Sequence, residues 1–486
     1  MALGHQDYGL YGVVGGLTFF ITFLNNLSAT AISRFYAVEV GRASVAEDKE
    51  EGLENCRRWF NTAVMIHTIL PIACVSIGYP IGIWMIENWL EIPPDRIEAC
   101  VWVFRFVCLS CLVGMVNVPF QAMYFAKQYI AELTIYGLAS STVQACFLYY
   151  IASHPSDWLV RYSAWICVIT IVPQMVICLR AMRIFPECRI NIRQALDYLR
   201  FKKLISYAGW YTFGSLGGVI RTQGIAILIN KYFGAKVNAA MSVANTINGH
   251  AGSLSSAMLG AFTPAISNAC GAGDDELVRR MAFRACKFGM LLVMIFALPL
   301  SVEINNVMSL WLKSPPQYSA GLCLCMIAML IIDKSAIGHM CAVDAKGKIA
   351  CYQFVVGSIH MLTLPLACMF VILGCHVYYV GIALVIMTAV AAFGRACFAR
   401  KLVGMGLGHW IFKIILPVVF VGLISLIICA IPCQILKPTF FRVCLTVVIA
   451  EMVLIPLAWL FVLDKNEREY VSNGVRNAVE RLTRNF

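Results

Sequence analysis

Long apolar runs separated by short polar segments dominate this chain of 486 residues. Many runs exceed about 18 residues, enough for a helix to cross a hydrocarbon core of about 30 Å. They are continuous, whereas the strands of a membrane β-barrel alternate in short segments. The pattern therefore predicts an all-α polytopic membrane protein. We expect thirteen spans, at roughly 10–38, 60–84, 98–120, 131–152, 158–179, 205–230, 238–266, 283–304, 318–341, 350–373, 376–397, 409–432 and 440–462.

One connecting segment, residues 180–204, is longer than the others and rich in Arg and Lys. Its apolar residues recur at helical spacing, which predicts a basic amphipathic helix. These residues are Ile192, Ala195, Leu196 and Leu199. The connector divides five spans from eight. We expect an N-terminal lobe over 1–204, a C-terminal lobe of six spans over 205–402, two further spans over 403–463 and a cytoplasmic amphipathic tail over 464–486.

The charge pattern supports this span count and gives an orientation. Hydrophobic residues make up 60% of the chain and charged residues 13%, too few charges for a soluble surface. Most of the 38 Lys and Arg residues fall in one set of alternate loops, which the positive-inside rule places in the cytoplasm. The C-terminus is then cytoplasmic and the N-terminus outside. The net charge of +12 needs no nucleic-acid partner, since topology and anionic lipid account for it.

The two halves of the chain carry matched features about 230 residues apart. Gly4 matches Gly234, and each is followed by a short polar link into a helix. The remaining matches pair Gly41 with Gly271, Arg58 with Lys287, Pro71 with Pro299 and Trp84 with Trp311. Parallel repeats around a central site are a common transporter design. Because a whole helix precedes Gly234 but three residues precede Gly4, we expect the first helix of the first lobe to be missing.

Segment 208–233 places Arg221 and Gln223 near the middle of a span. Arginine stays charged in proteins, and in the bilayer it costs several kcal/mol unless it faces water or a partner. In a cavity, Arg221 suits an anionic substrate such as a phosphate. The alternative is a structural role, with Arg221 bonded to helix carbonyls or to one of the few intramembrane acids, Asp333 or Glu39.

Further polar residues lie in two spans that the repeat relates. Apart from His250, they can bind substrate, or they can hold helices together, whereas His250 can be a hydrogen-bonded core histidine or part of a proton relay. They are Asn25, Asn26 and Arg34 on the first span, and Asn245, Asn248 and His250 on its counterpart. The pair Asp333-Lys334 is open to two interpretations, an intramembrane ion pair or an interfacial kink.

Motifs for catalysis or cofactors are not found in the sequence. It has no phosphate-binding loop of the Walker A type, no HExxH zinc motif and no extramembrane segment long enough for a catalytic domain. Cys108 and Cys111 have CxxC spacing, but they lie in mid-span without a second pair, so we interpret most of the 21 cysteines as packing residues. We expect no cofactor, no metal and no enzymatic activity.

Several motifs together resemble bacterial Wzx-type polysaccharide flippases of the multidrug/oligosaccharidyl-lipid/polysaccharide (MOP) exporter superfamily, which also contains the MATE transporters. The resemblance covers nearly the whole chain. Its motifs are Leu3-Gly4, Asp7-Tyr8-Gly9-Leu10-Tyr11, Ser28-Ala29-Thr30, Arg34-Phe35, Ala208-Gly209-Trp210, Arg221-Thr222-Gln223-Gly224, Phe233-Gly234 and Asn248-Gly249.

The resemblance implies two six-helix lobes around a cavity, plus two further helices, in the bacterial inner membrane. It implies that the protein flips a sugar chain on polyprenyl diphosphate to the outer leaflet, for a surface polysaccharide such as the O-antigen of lipopolysaccharide. Arg34 and Arg221 match the cavity cations that would hold the diphosphate. Membrane lipids, a polysaccharide polymerase and glycosyltransferases are the implied partners. The chain departs from the family in lacking the first helix.

Two alternatives remain at this point. A MATE-type multidrug exporter coupled to a cation would need an acidic coupling site and a less basic cavity. A membrane-embedded enzyme of glycan assembly would need a large outer loop with catalytic polar residues, which the chain does not have.

Overall fold

The computed structural model describes residues 7, 10–11, 14–15, 17, 19–90, 92–153, 157–312, 315–469 and 472–473. The side chains of 19–28, 152, 192 and 235 are outside this description. The described residues form helices and no strand, which confirms the predicted all-α fold. Most of the predicted amphipathic tail, 474–486, lies outside the described residues, as does Gly4.

The helices follow one another with short connections. The first eight are α1 (Phe19–Val45), α2 (Lys49–Asn88), α3 (Ile97–Ala126), α4 (Ile130–Ser153), α5 (Leu159–Ile184), α6 (Ile192–Ala195), α7 (Tyr198–Phe233) and α8 (Ala235–Gly271). The remainder are α9 (Asp275–Trp311), α10 (Ser319–Ser335), α11 (Ile337–Lys346), α12 (Ala350–Ile372), α13 (Tyr378–Val403), α14 (Leu416–Cys429), α15 (Ile431–Ile435) and α16 (Phe440–Leu457). A helical turn, Leu407–His409, and a π-helix, Trp410–Ile415, lead into α14, and a second π-helix, Ala458–Val462, continues α16.

The described part of each predicted span falls on one helix or on a run of consecutive helical segments. In the described part of the chain, nine helical segments are long and apolar enough to cross a membrane, and the bent pair α10–α11 makes up to ten. The remaining predicted spans correspond to α1, α4 and α8, which are not among these segments. In α8 the reason is visible in its sequence, which carries two asparagines and a histidine in the middle. The polytopic architecture predicted from the apolar runs is therefore confirmed.

The chain divides into two compact units. Unit 1 comprises Met1–Thr212 with Thr263–Asp274, and unit 2 comprises Phe213–Phe262 with Asp275–Phe486. Helices α7 and α8 therefore contribute residues to both units. The predicted domain limits at 204, 402 and 463 stay predictions.

In unit 1, helix α1 crosses the last turns of α8 at backbone contact. A Cβ on Gly41 would lie 2.0 Å from the carbonyl oxygen of Asn268, and one on Gly271 would lie 1.9 Å from that of Val38. Only glycine permits this approach. The two contacts are related by the same 230-residue offset that the sequence repeat shows, so the crossing agrees with the predicted repeat.

The basic connector is not one continuous helix. It forms the single turn α6 and then breaks, because Asp197 accepts a hydrogen bond from the backbone N–H of Arg200 at 3.0 Å and so caps α7. Leu196 and Leu199 are exposed, whereas Ala195 is buried. The predicted amphipathic pattern is thus interrupted between Ala195 and Leu199.

In unit 2, glycines allow α7 to pack closely against α12. A Cβ on Gly217 would lie 2.5 Å from the carbonyl oxygen of Gly357, whereas one on Gly218 would meet nothing within 4 Å.

We expect Gly217→Ala to destabilise the protein by about 2 kcal/mol, since the backbones must separate. Gly218→Ala is the matched control and should be neutral or slightly stabilising, because alanine favours helix. Thermal unfolding in detergent compares the two variants, and equal midpoints would contradict the close packing.

Candidate functional site

A polar cavity of about 260 Å³ lies inside unit 2 and is called the unit 2 cavity below. Residues from α7, α8, α10 and α13 line it. They are Arg221, Asn248, Gly249, Gly252, Ser256, Met329, Leu330, Asp333, Lys334 and Thr388. The cavity therefore brings together two of the residues predicted from the sequence, Arg221 and Asn248.

Arg221 lies on α7 and is half-buried. Its Nη1 donates to Nδ1 of His360 and to Oγ1 of Thr388, each at 3.4 Å. Both distances are near the upper limit for a hydrogen bond. The Nε atom of Arg221 is buried and has no hydrogen-bond partner among the described residues. The guanidinium, which carries five N–H donors, thus retains donor capacity at the cavity.

Asp333 pairs with an arginine other than Arg221. Its Oδ1 accepts from Nη1 of Arg395 at 2.8 Å, and Lys334 Nζ lies 3.6 Å from its Oδ2. Glu39, the other acid considered for Arg221, lies in unit 1 and pairs with Arg42 at 3.2 Å. Both acids therefore have nearer cationic partners than Arg221.

Arg395 lies inside α13 and is 7% exposed, within the predicted span 376–397. The helix runs on to Val403, six residues beyond the predicted end of that span.

The helix break beside the cavity comes directly after the charged pair Asp333-Lys334. Helices α10 and α11 meet at Ala336 with a bend of 43°. The indole Nε1 of Trp410 donates to the backbone oxygen of Ser335 at 2.7 Å, so the carbonyl at the bend is satisfied. Asp333 and Lys334 therefore form an ion pair that directly precedes a kink, and their depth in the membrane stays a prediction.

Positive charge exceeds negative charge at this site. Arg221, Lys334 and Arg395 supply three cations, and Asp333 is the one carboxylate that lines the unit 2 cavity within the described chain. A surplus of cations in membrane-buried surroundings is costly unless water or an anion offsets it. The arrangement therefore favours an anionic ligand such as a phosphate, which an arginine binds in a forked geometry.

Of the other predicted residues, one lines this cavity, two others in unit 2 do not, and two have side chains outside the description. Asn248 lines it, and its buried Oδ1 has no partner among the described residues, so it adds an acceptor. Gln223 and Asn245 are exposed and do not line it. The side chains of Asn25 and Asn26 lie outside the described residues.

Arg34 belongs to unit 1, where its guanidinium stacks on two aromatic rings. The Cζ atom lies 4.7 Å from the ring centre of Phe35 and 5.5 Å from that of Tyr207. Such cation–π contacts contribute about 0.5–2 kcal/mol and orient the side chain. Its predicted role in substrate binding stays a prediction.

Sequence reasoning missed a second buried ion pair in unit 2. Glu303 on α9 is 1% exposed, and Arg442 donates to it through Nε and Nη2, both at 2.8 Å. Thr446 Oγ1 donates to the same carboxylate at 3.0 Å. The sequence did contain a clue to this pair, since Glu303 lies at the end of one predicted span and Arg442 at the start of the last one. This pair is structural, because it joins α16 to α9.

Of the comparisons with known proteins, the one with solved structures identifies the fold. No family model matches the sequence, and no curated protein matches it. A solved MATE in complex with MaL6 superposes with a TM-score of 0.68 at 14% identity, over 83% of this chain and 91% of its own. An outward-facing multidrug resistance MATE family transporter of the MOP superfamily gives 0.68 at 14% identity, over 83% and 89%.

A third similar structure is a MOP superfamily transporter from Pyrococcus furiosus Vc1 (DSM3638), whose binding pocket has reverse polarity, which suggests a different function for that protein. It gives a TM-score of 0.68 at 14% identity, over 83% of this chain and 91% of its own. In each of the three superpositions, this chain matches about nine-tenths of the other protein's length. The described chain therefore has the fold of the MATE transporters of the MOP superfamily.

Proposed function

We propose that this chain is a membrane transporter that moves an oligosaccharide linked to polyprenyl diphosphate to the outer leaflet of the bacterial inner membrane. The observation that carries the proposal is Arg221, which keeps unused donors at the unit 2 cavity while Asp333 pairs with Arg395. The fold supports transport in general, and the sequence motifs supply the substrate class. The orientation with a cytoplasmic C-terminus belongs to the same proposal.

The proposed mechanism is alternating access. The diphosphate binds to Arg221 by charge-assisted hydrogen bonds, the sugars occupy water-filled space, and the lipid tail stays in the bilayer. Rigid-body rocking of the repeated halves then exposes the bound diphosphate to the other side. The Pyrococcus furiosus transporter of the MOP superfamily, with a binding pocket of reverse polarity, is a precedent for a different function on this fold.

A cation-coupled multidrug exporter is the second candidate. The observation in its favour is Asp333, a carboxylate that lines the same cavity, together with the likeness to a multidrug resistance MATE transporter. Against it, the Asp333 carboxylate is already neutralised by Arg395 at 2.8 Å, so a coupling cation would have to displace a guanidinium.

Deletion of the gene tests the substrate class. We expect the lipid-linked oligosaccharide to accumulate on the inner leaflet, with unchanged sensitivity to cationic drugs. Lectin labelling of spheroplasts and inverted vesicles measures the two leaflets separately, and growth assays measure drug sensitivity. Normal outer-leaflet exposure with raised drug sensitivity would support the multidrug exporter instead.

A further inference from the structure

Unit 1 contains a second positively charged depression, which shares no lining residue with the unit 2 cavity. It has a volume of about 630 Å³ and is called the basic pocket here. Its lining residues are Arg57, Arg189, Ile190, Asn191, Arg193 and Gln194. Three arginines from α2 and from the basic connector thus surround one space.

Hydrogen bonds from buried Asn61 on α2 fix the connector at this pocket. Its Oδ1 accepts from the backbone N–H of Asn191 at 2.7 Å, and its Nδ2 donates to the backbone oxygen of Arg189 at 3.2 Å. Asn61 is 1% exposed. Nε of Arg57 donates to the backbone oxygen of Pro186 at 3.0 Å. The pocket is therefore held in place by the protein rather than formed by loose surface side chains.

The carboxylates near the pocket are already engaged elsewhere. Glu54 accepts from Gln194 at 2.7 Å and pairs with Arg58 at 3.4 Å. The buried Glu187 pairs with Lys127 at 2.7 Å. Asp197 pairs with Arg200, and the hydrogen bond from the Arg200 backbone N–H helps keep the pKa of Asp197 below its usual range.

The three pocket arginines therefore have no carboxylate to neutralise them. In the described chain, none of Arg57, Arg189 and Arg193 forms an ion pair with an acid. Their guanidinium groups are left available to an external anion.

Exposed apolar side chains adjoin the arginines. Ile190 is 56% exposed, Leu196 is 80% exposed and Leu199 is 69% exposed. Ile190 and Leu196 lie in the connector between α5 and α7, and Leu199 lies in the first turn of α7. Both α5 and α7 are apolar enough to cross a membrane. The pocket therefore lies where a span ends, with positive charge beside hydrocarbon-compatible surface, as at a membrane interface.

We propose that the basic pocket binds the phosphate headgroup of an anionic phospholipid, whose acyl chains contact Ile190, Leu196 and Leu199. Basic pockets at the ends of membrane helices are suited to such headgroups. The predicted orientation puts this pocket in the cytoplasmic leaflet. This site is separate from the proposed substrate site, and it does not depend on which molecule the protein transports.

Titration of single lipids into the purified full chain in a neutral detergent, followed by native mass spectrometry, tests this site. The double variant R189Q/R193Q removes two pocket charges. The matched control K202Q/K203Q removes two charges from exposed residues of nearby α7. We expect R189Q/R193Q to weaken binding of phosphatidylglycerol at least tenfold, since each cation near a lipid surface contributes about 1 kcal/mol. K202Q/K203Q should change it less than about twofold, because neither lysine lines the pocket.

Two further arms identify the ligand. Phosphatidylethanolamine should bind more weakly than phosphatidylglycerol, and inorganic phosphate should not displace the bound lipid at equal concentration. Equal loss in both double variants would overturn the proposal, since the attraction would then belong to the whole surface. Displacement by inorganic phosphate would overturn it too, because the pocket would bind a free anion without using the acyl chains. Melting curves of all variants check that each is folded.

Discussion

Replacing Arg221 with alanine is expected to lower transport of the lipid-linked oligosaccharide by about 10- to 100-fold, because a hydrogen bond to a charged group contributes about 1.5–3 kcal/mol. The loss should appear although the protein inserts normally, since its Nη1 contacts to His360 and Thr388 are both long, at 3.4 Å. The measurement is the rate of lectin-accessible exposure in a deletion strain that carries the variant.

Two control variants separate charge from geometry. Lys231→Ala removes an equal charge from an exposed residue of the same helix and should leave transport near the wild-type rate. Arg221→Lys keeps the charge but loses the planar fork, so we expect an intermediate rate. If Arg221→Ala transports as fast as the wild type, Arg221 does not bind the substrate.

Replacing Asp333 with alanine is expected to destabilise the protein by about 3 kcal/mol, because it leaves the buried guanidinium of Arg395 without its partner. The midpoint of thermal unfolding in detergent measures this. Asp275→Ala is a control, since Asp275 pairs with Lys346 at 2.6 Å at an exposed site. An exposed pair contributes about 0–1 kcal/mol, so this variant should unfold near the wild-type temperature. An unchanged midpoint for Asp333→Ala would show that Arg395 does not need the carboxylate.

The double variant D333L/R395L relates this ion pair to function. Replacing both partners with apolar residues removes the unpaired guanidinium of Arg395, although Lys334 still loses its 3.6 Å contact, so stability should recover in part relative to Asp333→Ala. Because Asp333 is a structural partner of Arg395 in our proposal, the double variant should retain measurable transport. A stable but inactive double variant would favour Asp333 as a coupling carboxylate, as the multidrug exporter requires.

The helical spans could be predicted well from the sequence because long apolar runs leave few other structures in a bilayer. Arg221 was also identifiable, since a charge inside a span is rare and costly. It was harder to predict which polar residues near Arg221 share its face of the helix. Gln223 is two residues from Arg221, about 200° around a helix with 3.6 residues per turn, and it points away from the cavity.

The partners of the buried charges could not be predicted from one sequence. Asp333 and Arg395 lie on different helices, and the pairing depends on how α10 and α13 pack. The end of α13 was predicted at 397 rather than Val403, because Arg400 and Lys401 in the last turn resemble the start of a cytoplasmic loop. The helix break in the basic connector could not be predicted either. The helical spacing of its apolar residues continues past Asp197, where the chain leaves α6 and begins α7.

Equilibrium binding of polyprenyl diphosphate to the purified protein is the most direct test of the central claim, that the unit 2 cavity binds an anionic diphosphate through Arg221. Intrinsic tryptophan fluorescence can follow the titration. A parallel titration with a cationic dye represents the substrates of a multidrug exporter. The account predicts saturable diphosphate binding that Arg221→Ala weakens by about 10- to 100-fold and Lys231→Ala leaves unchanged. Equal affinity in wild type and Arg221→Ala, or binding of the cationic dye in preference to the diphosphate, would contradict it.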